Sequence, residues 1–489
     1  MTQQTDRAAA SRVLSGGFWI VLSQSFVFIL VFVAQRMILS TLTKEENGTL
    51  FFERRLTDLL LGVLVDFGLN GVVLRRVAQE PGRAREILSS VVAFRLAMWV
   101  IAAAIAASAA AFSGYSALDV IIWSTYVLIA ARTTLLRYTF ETPYRVHGGF
   151  RLVAAVTALD AVMFLFVTSL LRNILSPTVV ICAYAVSAVP GFVLLVLRDR
   201  GRTFAASAVR VKEIRSVVTE ALPVIVAIGL IMLHGSIDTF ILEVVGTPKD
   251  VGVLGAITAS VAPFLTVVPQ AVVLAAMPEI ARTVRKHMYG GSENMIRDLL
   301  RFVVVIGTLT AAVSAPLMEQ FVLVVSGGRY LQEWTQFYWY VWTAPFLGIF
   351  IVFQELTVTL QRRRVLTTVA IVLLSVTVVT AAALVPQYLS AGAVYARLGT
   401  LAVASVCCFL AVRHMVADAI DLLFMIRSYI LIGVACATSV VLLSETSALV
   451  ASAVTCVVAL VTAVLTQLLR PTDFHRVLQL AGKGRSTHE

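Results

Sequence analysis

The residues of this chain that could do chemistry are charged side chains standing where lipid tolerates few. The stretch Leu50-Phe51-Phe52-Glu53-Arg54-Arg55-Leu56-Thr57-Asp58 runs on through Asp66 and closes Phe67-Gly68-Leu69-Asn70-Gly71-Val72-Val73-Leu74. It is long and apolar enough to cross a bilayer, yet it carries Glu53, Arg54, Arg55, Asp58 and Asp66. At ~100° per residue, Arg55, Gly62 and Asp66 fall nearly in line, Asp58 lies to one side, and Arg54 widens the stripe to roughly 120°. Glu53 points elsewhere. Ionisable groups at membrane depth are costly, so the stripe is expected to face a water-filled cavity inside a helical bundle. The alternative is that residues 50–58 lie at the interface, with their charges reaching headgroup water.

Three more arginines, Arg36, Arg95 and Arg397, fall within apolar spans. A guanidinium stays charged when desolvated and offers a planar fork of donors, which suits it to phosphate oxygens. Arg36, Arg54, Arg55 and Arg95 are therefore candidates for a cationic path; internal pairing of Arg54 with Asp58 and of Arg95 with Asp66 is the competing reading. Asp58, Asp66 and Asp160, with His234 and Asp238 one helical turn apart, are the candidate ion-coupling groups, because a buried carboxylate near a histidine can titrate near neutral pH. A hydrogen-bonded core histidine is the plainer alternative. Pro263, Pro269 and Pro345 remove backbone donors and are expected to bend their helices. The five cysteines all sit inside apolar runs, which argues against a disulfide framework and against a zinc site, and no cofactor is expected.

These groups need helices to place them. The 489 residues are 59% hydrophobic and 14% charged, with a mean hydropathy of +0.90, the balance of a polytopic membrane protein. About 14 spans are expected, starting near residues 17, 50, 88, 117, 150, 177, 220, 250, 299, 335, 365, 390, 421 and 447, each sized for a hydrocarbon core of ~30 Å. The first apolar run has spanning length and lacks a cleavage site before the next segment, so it is expected to be retained. Most of the 39 basic residues then fall in alternate loops, including Arg75, Arg76, Arg83, Arg132, Arg137, Arg145, Arg198, Arg210, Arg282 and Arg362. Lys44, Arg172, Lys249 and Arg329 fall in the opposite ones. The asymmetry puts both termini in the cytoplasm, and it accounts for the +11 net charge through a membrane rather than through nucleic acid.

The basic linker Arg198–Arg215 alternates Val209, Val211, Ile214 and Val217 with Arg210, Lys212 and Arg215, a pattern expected for an amphipathic helix on an anionic inner leaflet. It separates an N-terminal lobe of six helices, 1–205, from a second lobe, 206–415; two further spans occupy 416–489. The longest external loop is about 324–334, followed by Phe337-Tyr338-Trp339-Tyr340-Val341-Trp342, which reads as an interfacial aromatic belt. Stacking of these rings on a sugar is a second possibility.

Several segments together resemble the lipid-linked oligosaccharide flippases, the polysaccharide-transporter branch of the multidrug/oligosaccharidyl-lipid/polysaccharide (MOP) exporter superfamily. They are Ser15-Gly16-Gly17-Phe18-Trp19, Val65-Asp66-Phe67-Gly68-Leu69 before Leu74-Arg75-Arg76, Glu80-Pro81-Gly82-Arg83-Ala84-Arg85-Glu86-Ile87-Leu88, Ala221-Leu222-Pro223 before Ile237-Asp238-Thr239-Phe240-Ile241-Leu242, Val251-Gly252-Val253-Leu254-Gly255-Ala256, and Met277-Pro278-Glu279-Ile280-Ala281-Arg282. The order and spacing of these short matches across residues 15–410 carry the resemblance. Glu53-Arg54-Arg55 and Asp58 depart from it, since smaller or apolar residues are expected there.

The resemblance implies an all-α protein with two six-helix lobes around a central cavity plus two C-terminal helices. It also implies a polyprenyl-pyrophosphate-linked oligosaccharide moved by alternating access to the outer leaflet of the cell membrane, for surface polysaccharide biosynthesis, with glycan-assembly proteins as possible partners. No bond is made or broken, so the chain is read as a transporter and not an enzyme. A multidrug or cation antiporter would favour an acidic, aromatic cavity over an arginine-rich one. A membrane glycosyltransferase or polymerase would need catalytic carboxylates in a sizeable external loop, and a scaffold for an assembly complex is also compatible.

Overall fold

The computed structural model describes residues 25–66, 68–130, 135–147, 149–267, 293–360, 362–416 and 420–469, with a few positions between 268 and 292. The expected contributions of Ser15–Trp19, of Met277–Ala281 apart from Ile280, and of Arg132, Arg282 and both chain ends lie outside the described residues. Everything regular that is described is helix: α1 (Ser25–Thr41), α2 (Lys44–Leu61), α3 (Leu69–Gln79), α4 (Ala84–Phe112), α5 (Ala117–Ile129), α6 (Leu136–Val146), α7 (Phe150–Leu170), α8 (Pro177–Asp199), α9 (Val211–Val245) and α10 (Pro248–Ser260). The chain continues as α11 (Glu293–Ser314), α12 (Met318–Ser326), α13 (Trp334–Val341), α14 (Ala344–Thr359), α15 (Arg363–Met415), α16 (Leu422–Glu445) and α17 (Ala448–Leu465).

Among the described residues, ten helices are long and apolar enough to cross a membrane, or eleven if the pair Leu331–Val341 and Ala344–Thr359, bent by 45°, is one span. The difference from the expected number has local causes. Helices α1 and α5 are apolar but shorter than 18 residues. The 53-residue α15 is broken at Leu389, whose φ of 51° and ψ of −125° are not helical, just after Pro386. The surface is apolar in the manner of lipid-facing helices, with Phe112, Leu170, Leu197, Val244 and Leu465 all exposed. The chain is a multi-pass, all-α membrane protein.

Two compact units result. The first gathers the described residues of Met1–Ala256 with Val324–Arg329 and Ala381–Ala393; the second holds those of Ile257–Leu323, Tyr330–Thr380 and Val394–Glu489. Helix α9 and the start of α10 thus belong to the first unit. Its core is aromatic at the centre: Trp123, Tyr126, Phe164 and Tyr184 pack ring on ring, with Phe164 and Tyr184 stacked at 4.0 Å and Trp123 edge-on to Tyr184 at 5.1 Å. Such pairs add about 0.5–1.5 kcal/mol each beyond their buried area. Where α2 meets α10, Gly48 faces the Pro248 carbonyl and Gly252 faces that of Lys44, so the backbones touch, and Asn47 Nδ2 donates to Gly252 O at 2.7 Å.

The second unit is built around α11, with Gly307 against the Pro345 backbone, Gly348 against Val303, and Ser452 Oγ bonded to Val313 O at 2.8 Å. Pro345 begins α14 and so costs it no internal donor; the chain bends just before it. The run expected as an interfacial belt turns inward instead. Phe337, Tyr338, Tyr340 and Trp342 are all buried, and Tyr338 donates to Ser439 Oγ at 3.0 Å. The short helix α13 packs on its neighbours, and this draws the rings out of the interface.

The linker 198–215 also differs from expectation. Residues 200–210 are turn and one 3-10 turn rather than a surface helix, because α4 holds them: Ser89 Oγ donates to Thr203 O at 3.2 Å and accepts from Ala205 N, and Ser90 Oγ accepts from Arg210 N at 3.0 Å. Thr203 is fully buried beneath the Asp199 carboxylate. Helix α9 starts at Val211 and runs without a break, so no separate amphipathic helix lies on a leaflet.

Candidate functional site

Helix α2 opens with a capping box, Thr43 Oγ1 accepting from Glu46 N while Glu46 returns to Thr43 N, and then carries Glu53, Arg54, Arg55 and Asp58 inward. It does not continue regularly to Asp66. Residues Gly62–Asp66 form a π turn, and Gly68 follows at φ 60°, a left-handed conformation that glycine adopts without strain. The break shifts the register, so Asp66 is not in line with Arg55 as a regular helix would have it.

Arg54 and Asp66 consequently serve different neighbours. The Arg54 guanidinium lies over the ring of Trp123 at 4.7 Å and over that of Tyr184 at 5.3 Å. Asp58, the partner expected one turn away, lies within electrostatic reach of Arg54 and Arg55 and also accepts from Trp123 Nε1 at 3.1 Å. A small pocket lies beside the Tyr184 ring, lined by Tyr126, Thr157, Asp160, Phe164, Tyr184 and Ser187 among others. Contacts of a cation with aromatic faces are worth up to about 2 kcal/mol when desolvated.

The other interior charges are engaged by the protein. Arg95 is 1% exposed and reaches Asp66 at 3.4 Å, Asn70 Oδ1 at 2.9 Å, Thr139 Oγ1 at 2.6 Å and the Leu135 carbonyl; Asn70 in turn donates to Asp66 at 2.7 Å. This is the internal pairing anticipated for Arg95 and Asp66, and in this conformation it leaves Arg95 sealed.

Asp160, which reads as solitary in the sequence, meets Arg137 at 2.6 Å; Arg137 also bonds Glu141 at 3.1 Å, and Glu141 bonds Arg145 at 2.7 Å. Arg137 and Arg145 were expected in a loop facing water. Helix α6 instead carries Arg137 to complete burial, and Gly191 on α8 leaves room for the Asp160 carboxylate, which a side chain there would strike. Arg137, Glu141, Trp123 and Tyr184 are thus site residues that sequence reasoning missed. Only the i, i+4 spacing of Arg137, Glu141 and Arg145 hinted at part of the cluster.

The remaining candidates are scattered. Arg36 is exposed on α1 and Arg55 is half-buried over the Phe51 ring at 5.0 Å. His234 and Asp238 are both buried on α9, where Asp238 Oδ1 accepts from Thr239 N at 2.8 Å. Arg397 stands in the second unit, half-buried, 3.5 Å from Tyr340 Oη. Among the described residues, no cluster of His, Cys, Asp and Glu could hold a metal ion.

At the opposite end of α9, ion pairs tie the first unit together. Arg76 reaches Glu213 at 2.8 Å, Glu220 at 2.6 Å and Ser216 Oγ at 2.9 Å; Arg83 reaches Glu213 at 2.8 Å, and Arg75 pairs with Glu220. Helix α9 is therefore held to α3 at this end and to α2 at the other, where Phe52 meets Phe240 edge-on at 5.9 Å.

The backbone so arranged superposes on solved transporters over most of its length. Lipid II flippase MurJ in an inward closed conformation aligns with a TM-score of 0.64 at 13% identity, covering 94% of this chain and 98% of that one. The backbone fold is shared with solved structures described as MOP superfamily transporters. A variant of the Vibrio cholerae MATE transporter VcmN aligns at 0.58 and 14% identity over 86% of this chain and 99% of its own. A MOP superfamily transporter from Pyrococcus furiosus, described as having a binding pocket of reverse polarity that suggests a different function, aligns at 0.53 and 16% over 83% and 96%. Neither a protein-family model nor a curated protein matches the sequence. At these identities the MOP likeness speaks for the backbone, and the side chains above must carry any statement about cargo.

Proposed function

We propose that this protein is a flippase that carries a polyprenyl-pyrophosphate-linked oligosaccharide across the cell membrane by alternating access, with both termini and the Arg75–Glu220 end in the cytoplasm. The observation that carries the reading is Arg54, a guanidinium at membrane depth lying over the Trp123 and Tyr184 rings, with Asp58 in electrostatic reach but no carboxylate at ion-pair distance among the described residues. Arg95 and Arg137 are spent on Asp66 and Asp160 and act as positioning residues for the bundle; Arg54 is the interior arginine proposed to meet a pyrophosphate. Its donor fork would replace hydration lost by phosphate oxygens on leaving the headgroup region. The likeness to the MurJ fold supports a lipid-linked cargo.

Translocation of a lipid-linked oligosaccharide in reconstituted vesicles tests this. Loss of one desolvated charge-assisted contact is worth about 1.5–3 kcal/mol, so Arg54→Ala is expected to lower transport roughly ten- to hundred-fold, and Arg54→Lys to restore it only in part. Parent-rate transport by a folded Arg54→Ala protein would refute the role. The topology is read by thiol labelling in intact cells of the exposed Ser207→Cys and Ser113→Cys in a cysteine-free background, which should react from opposite sides.

A second reading, export of an organic cation, is favoured by one observation: Asp160 lies among the Tyr126, Phe164 and Tyr184 rings, a lining that cations select. Uptake of a cationic dye driven by a pH gradient, with no lipid-linked transport in the same vesicles, would decide for it.

A further inference from the structure

Glu53, the one charge of α2 that leaves the stripe, is fully buried. Its Oε1 accepts the Ser116 backbone N–H at 3.3 Å, and its Oε2 has no hydrogen-bond partner among the described residues. Asp119 is buried beside it, within electrostatic reach, with Oδ2 bonded to Thr178 Oγ1 at 2.7 Å and Oδ1 unpartnered. A third carboxylate comes from α9: Glu243 Oε1 accepts from Tyr115 Oη while Oε2 is buried and unpartnered. Tyr115 stacks on Phe52 at 4.7 Å and so sits between Glu53 and Glu243. Its phenol is pushed up by burial and by the Glu243 hydrogen bond, so it remains a donor.

Among the described residues, no cation stands at ion-pair distance from Glu53, Asp119 or Glu243. On α2, Arg54 is drawn to Trp123 and Tyr184, Arg55 to the Phe51 ring, and Asp58 to Trp123. Helix α5 presents Asp119 and Tyr126, and α8 presents Cys182 and Tyr184. Helix α9 carries Asp238 and His234 one turn and more beyond Glu243, and Lys44, Glu45 and Glu46 lie at the rim of α2. The Glu53 carboxylate is fully buried, one of its oxygens is orphaned, and an unpaired buried charge costs several kcal/mol. A proton on Glu53 Oε2 turns an orphaned acceptor into a donor and removes one of the repelling charges. The spacing does not suit a metal ion.

We propose that Glu53, with Asp119 and Glu243 beside it, is a proton-binding site whose occupancy holds α2, the Tyr115 turn and α9 together at this end of the first unit, and whose deprotonation lets them part. The closed contact binds more protons than the open one, so it is favoured at low pH and lost as pH rises. This holds whatever the cargo is, and it is read without cargo.

The full-length protein, with its native cysteines replaced, is placed in nanodiscs with spin labels on Ser113→Cys and Lys249→Cys, both exposed. The distance distribution is measured across pH, and infrared difference spectra follow the carbonyl band of protonated carboxylic acids. The parent should shift from a short to a long distance as pH rises. Glu53→Gln should lose a protonated-carboxyl band and stay short at every pH. Tyr115→Phe should keep the band but weaken the short population. A parent distance indifferent to pH, or a Glu53→Gln protein with the parent's band and shift, overturns the proposal. If Glu53→Gln fails to fold, Asp119→Asn and Glu243→Gln read the same site: a pH shift unchanged in both overturns it, and one lost or displaced supports it.

Discussion

The two units solve the problem of polar groups at membrane depth in different ways. The first buries charge: Arg95 with Asp66, and Arg137 between Glu141 and Asp160. Among its described residues the second is joined mainly by neutral hydroxyls and rings, with Ser405 bonded to Tyr429, Thr380 to Thr400 at 3.0 Å, Tyr338 to Ser439, and Phe409 edge-on to Phe424 at 5.6 Å, beside one ion pair, Arg301 with the half-exposed Asp298 at 3.3 Å. A buried ion pair contributes little net stability against a hydrophobic equivalent, yet removing one partner is severe. The first unit is thus expected to be brittle to single substitutions where the second is tolerant, and the arginine proposed to meet cargo and the proposed proton site both fall in the brittle one.

The sharpest way to break that contrast is to unpair a charge. Arg137→Met leaves Asp160 buried without the cation it bonds and Glu141 with Arg145 alone, and is expected to cost about 3–5 kcal/mol, whereas Ser452→Ala in the second unit, which removes one neutral bond to Val313 O, should cost about 1 kcal/mol. Combining Arg137→Met with Asp160→Leu and Glu141→Leu should recover most of the loss. Thermal unfolding in detergent measures all three; equal losses at Arg137 and Ser452 would erase the distinction between the units.

How much of this was written in the sequence differs by residue. The crowding of charge on α2 and the pairing of Arg95 with Asp66 were legible, because depth along two helices is set by span length alone. The partnership of Arg137 with Asp160 was not. The rule that basic residues mark cytoplasmic loops sends Arg137 to water, and only the inward placement of the short α6 reverses it. Glu53 was passed over because it leaves the stripe, and its neighbours Asp119 and Glu243 come from distant helices. The rings of 337–342 look alike in an interface and in a core; burial distinguishes them and periodicity does not.

Close backbone approaches give the next largest effect, and they test whether brittleness is confined to charge. Gly191→Ala places a methyl group against the Asp160 carboxylate, and Gly307→Ala places one 2.7 Å from Pro345 Cα. Overpacking typically costs about 1–3 kcal/mol, and both should fall in that range. They should part on rescue: Asp160→Ala should relieve the steric clash of Gly191→Ala while leaving the buried Arg137 with Glu141 as its one remaining carboxylate partner among the described residues, shared with Arg145, so the double variant stays unstable. Full recovery would mean that the Arg137–Asp160 pair is dispensable.

Single neutral hydrogen bonds come lower. Tyr338→Phe removes the bond to Ser439 and keeps the ring, for an expected loss of about 1 kcal/mol. A loss as large as that of Arg137→Met, seen in the same unfolding assay, would show that the hydroxyl contacts of the second unit act as a coupled network.

The smallest stability effect belongs to the ion pairs between α3 and α9, and there the consequence should lie in conformation instead. Arg76 is partly open to solvent, and the buried Glu213 keeps Arg83 as a second partner when Arg76 is replaced, so the loss is expected to be at most about 1 kcal/mol, and less as salt rises. The pair ties the cytoplasmic end in the proposed orientation, opposite the end that Glu53 is proposed to control. Arg76→Gln should therefore leave the unfolding temperature near the parent's while lengthening the distance between spin labels on Arg85→Cys and Arg215→Cys, both exposed and on helices this network joins. Added salt should lengthen the same distance in the parent and have little further effect in the variant. If the distance is unmoved by Arg76→Gln and by salt alike, the network is ornament on a contact made by packing, and the charged interior of the first unit alone governs its state.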